Sequence, residues 1–387
     1  MLGVNHPDRL MSMLGLADAK RALCQLSDSS NIYVEVSIIC KKLYGESHDR
    51  YIEASLGLGK CYRAKGELED AAKIFDQSYT AAKDVFASTD TMDARAGRTG
   101  MYRKQGGSSP NSLKASAGLG LGAGLGAGSH PLIASALQCK GEISKDIGLY
   151  DVATSFVEQA LSMRVTLYNE THPSVADCLH TLGELLWLQG RYLESKRISE
   201  QCLGIRRDRI TKYHSDTALT VLLLADNLVS LGQHANARPV LNKALQLSKK
   251  AFRGEEHSQV ANVYFSVAEN CRCEGLYRES HTLHEKAQVI RLRLFGENHP
   301  SIGHSIYCLS ELSLAMGNMV EAAKGHDDAM ALRRMMLGPV HKDVASSLHA
   351  VGVCLLQRAR YSEARSVLDR ALTMRRKVLG SDHPEGT

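Results

Sequence analysis

Between His172 and Gly190 the chain reads HPSVADCLHTLGELLWLQG, and its apolar residues Val175, Leu179, Leu182 and Leu186 fall three or four apart. That spacing places them on one face and predicts a helix with one buried side. After Gly190, RYLESKRISEQCLGIRRDRI has few helix breakers and keeps an apolar trace through Tyr192, Ile198, Cys202 and Ile205, so it predicts a second helix. The glycine marks the turn between them. Pro173 suits a first helical turn, where the N–H that proline lacks would be unpaired in any case.

The same pattern returns along the chain. His6 and His48 stand 42 residues apart, Asp90 takes the next place, and His130, His172, His214, His257, His299, His341 and His383 continue the series. Gly66, Gly106, Gly148, Gly190, Gly232, Gly275 and Gly317 mostly follow the preceding histidine position by 18 residues, with Ala359 in the last place. Two punctuation marks per period predict a repeated helical hairpin. Such a unit cannot bury its own apolar side, so neighbours stack into a solenoid. The expectation is nine antiparallel helix pairs and essentially no strand, with boundaries near residues 48, 90, 130, 172, 214, 257, 299 and 341.

Junctions such as KLYGESH (42–48), RLFGENHP (293–300) and VLGSDHP (378–384) put glycine just after a run of helix formers, where a positive φ closes a helix. The histidines coincide with helix starts, which assigns them to capping or to packing between repeats. Equivalent places in stacked units lie about a helix diameter, roughly 10 Å, apart. That is too far for a shared metal ion.

The stretches HPSVADCLHTLGELLWLQGRYLES (172–195) and VASSLHAVGVCLLQRARYSEARSVLDRALTMRRKVLGSDHP (344–384), the second with an AL-x-x-R-x-x-x-LG end, resemble tetratricopeptide repeats of the 42-residue class found in kinesin light chains and nephrocystin-3-like proteins. The resemblance covers almost the whole chain and is weakest before residue 48 and between 90 and 129. It implies an all-α fold, a right-handed superhelix of antiparallel helix pairs whose first helices line a concave groove. It also implies a protein-protein interaction scaffold that binds a partner peptide or helix there, as a cargo, ciliary or cytoskeletal adaptor. Kinesin light chains hold the backbone of an extended peptide with an asparagine pair near the middle of those helices. The matching positions are His180 and Thr181, Leu222 and Leu223, Phe265 and Ser266, Tyr307 and Cys308, and His349 and Ala350, and none is asparagine. His180, Phe265, Tyr307 and His349 are candidate groove residues.

An acidic ladder runs along the same helices. Glu142, Glu184, Asp226, Glu269 and Glu311 each follow their lattice histidine by 12 residues, and the place after His341 is Val353. On the family's pattern this position faces the groove. Two readings stay open: the acids select a basic or amide-rich ligand, or they pair within the solenoid. A basic ladder exists for the second, since Arg164, Arg206, Lys249, Arg291, Arg333 and Arg375 each precede a lattice histidine by 8 residues. There, near the ends of the second helices, cations are favoured by the terminal carbonyls.

One segment breaks the pattern. Residues 117–128 read AGLGLGAGLGAG, with six glycines where the third period needs its second helix. Each interior glycine costs a helix about 1 kcal/mol relative to alanine. This divides the chain into N-terminal repeats at 1–107, a degenerate glycine-rich hinge at 108–129, and a C-terminal array at 130–387. The glycines end in no G-K-S or G-K-T and follow no strand pattern, which argues against nucleotide binding and leaves no cofactor implied.

Composition narrows the picture little further. With 47 basic and 42 acidic side chains the formal charge of +5 is small for 387 residues and supplies no nucleic-acid footprint. The ten cysteines form no C-x-x-C pair, Cys271 and Cys273 being two apart, and scattered thiols in apolar helices fit a reducing, cytoplasmic setting. No apolar run nears the about 20 residues needed to span a bilayer. Periodic placement accounts for the serines, histidines and aspartates without a catalytic constellation, so no catalytic or metal residues are assigned. The chain opens and closes on junction sequences, LGVNHP and LGSDHPEGT, which reads as a piece of a longer array. A passive spacer within a larger protein, or an active domain outside this chain, are the alternatives to a binding scaffold.

Overall fold

A computed structural model describes residues 7–96, 129–209 and 214–379. Among these residues all regular structure is helical, arranged as eight antiparallel pairs, here called units 1 to 8. They are α1 (Pro7–Ala22) with α2 (Leu26–Tyr44), α3 (Asp49–Lys65) with α4 (Leu68–Ala96), α5 (Pro131–Ile147) with α6 (Tyr150–Leu167), and α7 (Pro173–Leu188) with α8 (Tyr192–Arg209). The series continues with α9 (Ser215–Ser230) and α10 (His234–Ala251), α11 (Ser258–Cys273) and α12 (Tyr277–Phe295), α13 (Pro300–Ala315) and α14 (Met319–Leu337), and α15 (Lys342–Gln357) and α16 (Tyr361–Leu379). Each helix packs on the next, and the odd-numbered helices also touch one another, so they occupy the inner side of the curve.

The histidine lattice is a set of N-caps. His48, His130, His172, His214, His257, His299 and His341 all have extended backbone, and each imidazole accepts from the N–H two residues on. These bonds run from Nδ1 at 3.1–3.3 Å. An accepting Nδ1 makes each ring the neutral Nε2–H tautomer. Most rings are held from the other side by an aromatic residue that ends the preceding helix, as Tyr168 stacks on His172 and Phe295 on His299, both at 4.3 Å.

The second lattice is the turn. Gly66, Gly148, Gly190, Gly232, Gly275 and Gly317 all have φ between +73° and +93°. Cys24 and Ala359 occupy the same place in the first and last units and carry φ of +59° without the freedom of glycine. Where the helices of a pair cross, a side chain must be absent: a Cβ on Gly141 would lie 2.5 Å from a Val157 methyl.

One expected boundary is corrected. Helix α4 runs through Asp90 without a break, and α5 packs directly against α4, so among the described residues no ninth pair stands between them. The residues Ala87-Ser88-Thr89-Asp90-Thr91 lack the histidine that restarts the chain at the other junctions and the glycine that most of them carry. The glycine-rich 117–128 segment, His6, Gly106 and His383 lie outside the described residues.

The coil closes on itself after five units. His257 Nε2 donates to the Ala22 carbonyl at 2.9 Å, His299 to Ala64 at 3.1 Å, and His341 to Asp146 at 3.2 Å. Units 6, 7 and 8 thus sit on units 1, 2 and 3, always from the N-cap histidine of one unit to the last turn of the inner helix five units earlier. Pro300 rests against Gly66 at this seam, where an added Cβ would meet it at 2.8 Å.

Candidate binding groove

Inside the closed turn lies an 820 Å³ cavity walled mainly by the inner helices, from Arg21 on α1 through Lys60, Glu142, His180, Asp216 and Asn262 to Ser301 on α13. Its wall is polar because the apolar faces of these helices are spent on their partners. In α7, Leu182 and Leu185 are buried, as are Ile198 and Cys202 of α8.

The basic ladder ties the units together. Arg206 donates to the Asp216 carbonyl at 2.6 Å and to Thr220 of the next inner helix, and to Asp177 of its own unit at 2.9 Å. Arg333 repeats this with the Asp343 carbonyl at 2.9 Å, Ser347 at 2.9 Å and His304 Nδ1 at 3.0 Å. Arg291 does so with Ser301, Ser305 and Asn262, and Arg164 with the Ser174 carbonyl and Cys178. Lys249 departs from the rule and bonds Glu255. Burial among neutral partners pulls the Arg291 guanidinium down to about 10.

These arginines also fill the central positions of the groove. Arg291 lies over the Phe265 ring at 5.0 Å and Arg333 over Tyr307 at 4.4 Å, which are cation–π distances. Phe265 further packs on His304 of the following unit. His180 sits on the cavity wall with Nε2 3.5 Å from Glu184. Burial, then Arg375, lowers the pKa of His349.

The acidic ladder is served by different cations from those the sequence aligned with it. Glu142 accepts from Arg63, which also holds Asp146. Burial opposes the charge on Glu142, but Arg63, Lys60 and Lys145 hold its pKa below the usual carboxylate range. Lys145 bonds Glu184, and with His180 it outweighs burial and keeps that carboxyl well below the usual range. Glu269 meets His284 and Arg272 at 3.0 Å each and, against burial, is held at about 2. Glu311 has His326 at 3.3 Å, and its pKa is raised by burial.

Asp226 is the exception. Arg63 and Lys145 each stand 15 residues after a lattice histidine and reach the acid of the following unit. The same place after His172 is Trp187, whose indole N–H donates instead to Ser230 at 2.9 Å. Among the described residues Asp226 meets the Ser266 hydroxyl and no cation; burial, with Glu184 and Glu269 on either side, pushes its pKa up to about 7. The substitution is visible in the sequence once the 15-residue column is read beside the 12-residue one.

Paired helices, N-cap histidines and a polar inner wall define a solenoid of helical hairpins. The chain belongs to the tetratricopeptide repeat family, whose model matches residues 8–84, 132–208, 216–293 and 304–377. A search of curated proteins gives no match. Among solved structures, a Rap protein complexed with Competence and Sporulation Factor is 14% identical, with 96% of this chain and 99% of that one covered and a TM-score of 0.59. The nearly identical TPR-like repeats of a putative kinesin light chain from Podosopora anserina are 22% identical, over 53% of this chain and 97% of that one, with a TM-score of 0.41. At 14% identity the likeness to the Rap protein is one of fold alone. No helix among the described residues is long and apolar enough to cross a membrane.

Proposed function

We propose that the chain is an interaction scaffold that holds a segment of a partner protein, extended or helical, against its inner helices. The observation that carries this is the uncompensated Asp226 on an inner wall where Glu142, Glu184 and Glu269 have Arg63, Lys145 and Arg272 beside them. A carboxylate left without its counter-charge favours a ligand that brings one, so the reading commits to a basic segment. Asp226 lies two helical turns beyond Leu219, which lines the cavity, so the ligand would run along α9 from the cavity towards the Trp187 side. The sharing of a fold with a Rap protein solved in complex with Competence and Sporulation Factor supports a binding role for this architecture. The resemblance to kinesin light chains supports cargo or ciliary adaptors as the setting.

Peptide libraries scanned with lysine and arginine, read by fluorescence anisotropy, test the reading. Basic peptides are expected to bind the native chain, to weaken with salt, and to lose affinity about five-fold or more on Asp226→Asn. Glu184→Gln serves as a control for general charge. Equal binding of basic and neutral peptides, unchanged by Asp226→Asn, would overturn it.

A further inference from the structure

Units 4 and 5 differ from the units before them by one exchange on the inner wall. Arg63 and Lys145 each reach the acid of the following unit, and at the equivalent place of unit 4 stands Trp187. Unit 5 nevertheless keeps its acid, Asp226. Replacing both partners of an ion pair by apolar groups removes the charge altogether, whereas here the cation alone has gone and an aromatic ring has taken its place.

The ring is held in a fixed attitude. Trp187 is the only tryptophan in the chain, and its indole N–H donates to the Ser230 hydroxyl at 2.9 Å. Ser230 follows Asp226 by four residues on α9, so the two side chains leave the same face of that helix. The indole is thereby drawn from α7 across to α9, alongside the Asp226 carboxylate. Ser266 of α11 bonds the same carboxylate from the opposite side. Trp187 and Asp226 are both half-buried, so each keeps some surface in the groove.

A ring face and a lone carboxylate set side by side suit one kind of cation better than another. The face of an indole attracts positive charge. A guanidinium is flat and weakly hydrated, and it stacks on a ring while its N–H edge makes two parallel bonds to a carboxylate. The lysine ammonium is compact and strongly hydrated, so it serves the carboxylate and gives up less water to cover the ring. Because Ser230 sets the tilt of the ring beforehand, little ordering is left for the moment of binding.

We propose that Trp187 and Asp226 form an arginine-selective clamp, in which an arginine of the bound segment stacks on the indole and pairs with the carboxylate. This rests on the reading of the groove as a site for a basic segment, and adds which basic side chain it prefers and the residue that sets the preference.

Acetylated peptides alternating serine with arginine, with lysine or with neutral citrulline test the clamp by fluorescence anisotropy on the whole chain. The arginine peptide is expected to bind about five-fold tighter than the lysine peptide, the worth of one cation–π contact, and the citrulline peptide weakest. Trp187→Leu, checked for intact helices by circular dichroism, is expected to bring arginine down to the level of lysine and to leave lysine where it was. Tryptophan emission supplies a second measure that needs no variant: the arginine peptide at saturation should shift or quench the signal of Trp187. Arginine and lysine peptides that bind alike, both above citrulline, would overturn the clamp and leave the basic reading standing. Binding no better than citrulline by either would remove both. A preference for arginine that survives Trp187→Leu, or saturation without a change in emission, would place the arginine elsewhere and overturn the clamp alone.

Discussion

The histidine at the start of α13 does two jobs, and a pair of substitutions separates them. His299 caps the helix through Nδ1 and latches the seam through Nε2 to Ala64. His172 caps α7 in the same way, with the same 4.3 Å aromatic stack, and makes no seam bond among the described residues. Asparagine caps helices well but is too short to reach across to Ala64. His299→Asn and His172→Asn therefore both keep a cap and both lose a stack worth about 0.5–1.5 kcal/mol. The difference between them is the seam bond, about 1 kcal/mol net. Long repeat arrays unfold in parts, so a local measure is needed. Native-state hydrogen exchange at Gly66 and Glu67, whose N–H groups bond the Arg63 and Tyr62 carbonyls beside the seam, supplies it. His299→Asn should speed these amides about five-fold, the factor for roughly 1 kcal/mol, while His172→Asn leaves them unchanged. Equal rates in the two variants would show that the seam contributes nothing.

Other outcomes follow from the same structure. Burial lowers the pKa of the His299 and His130 imidazoles below the ordinary 6.5, so their contribution is fully present above 6.5 and is lost as pH falls through the lowered values; urea midpoints should drop between pH 7 and pH 5, less so in His299→Asn. Asp226 works in the opposite sense. Its pKa rises from 3.8 to about 7, so ionisation weakens the fold as pH rises, and Asp226→Asn should stabilise most above pH 7 with the gain fading towards pH 5 in thermal melts. Arg333→Met leaves Ser347, His304 and a helix carbonyl without their donor and should cost about 2–4 kcal/mol in urea unfolding. Ala359→Gly relieves a left-handed alanine at φ +59° and should raise stability by about 0.5–1 kcal/mol, a gain that thermal melts would show.

The repeat architecture was legible because its markers act locally. A histidine that caps its own helix and a glycine that turns its own hairpin need nothing from residues far away. The break expected at Asp90 failed on the same logic, since that place carries the period and not the residues that enforce it. The groove was legible only in part. Reading side chains in columns aligned the basic ladder with the acidic one, yet Arg206, Arg291 and Arg333 bind main-chain carbonyls, which no column of side chains reveals. Phe265 and Tyr307 were placed on the groove by analogy, and the structure sets the arginines over them. The seam had no signal in the sequence, because the unit that meets unit 1 depends on superhelical pitch, a property of accumulated small rotations.

The closure between each unit and the fifth after it has a consequence for how such a chain can change length. Donor and acceptor occupy the same two places in every unit, so a whole hairpin added by duplication shifts the partners along by one and finds the same chemistry waiting. An insertion of half a hairpin within units 3 to 8 would bring an outer helix to the seam in place of an N-cap histidine, and every latch across it would fail. Length in this part of the chain is therefore quantised: growth is neutral in steps of about 42 residues, the repeat of the histidine lattice, and costly at sizes between.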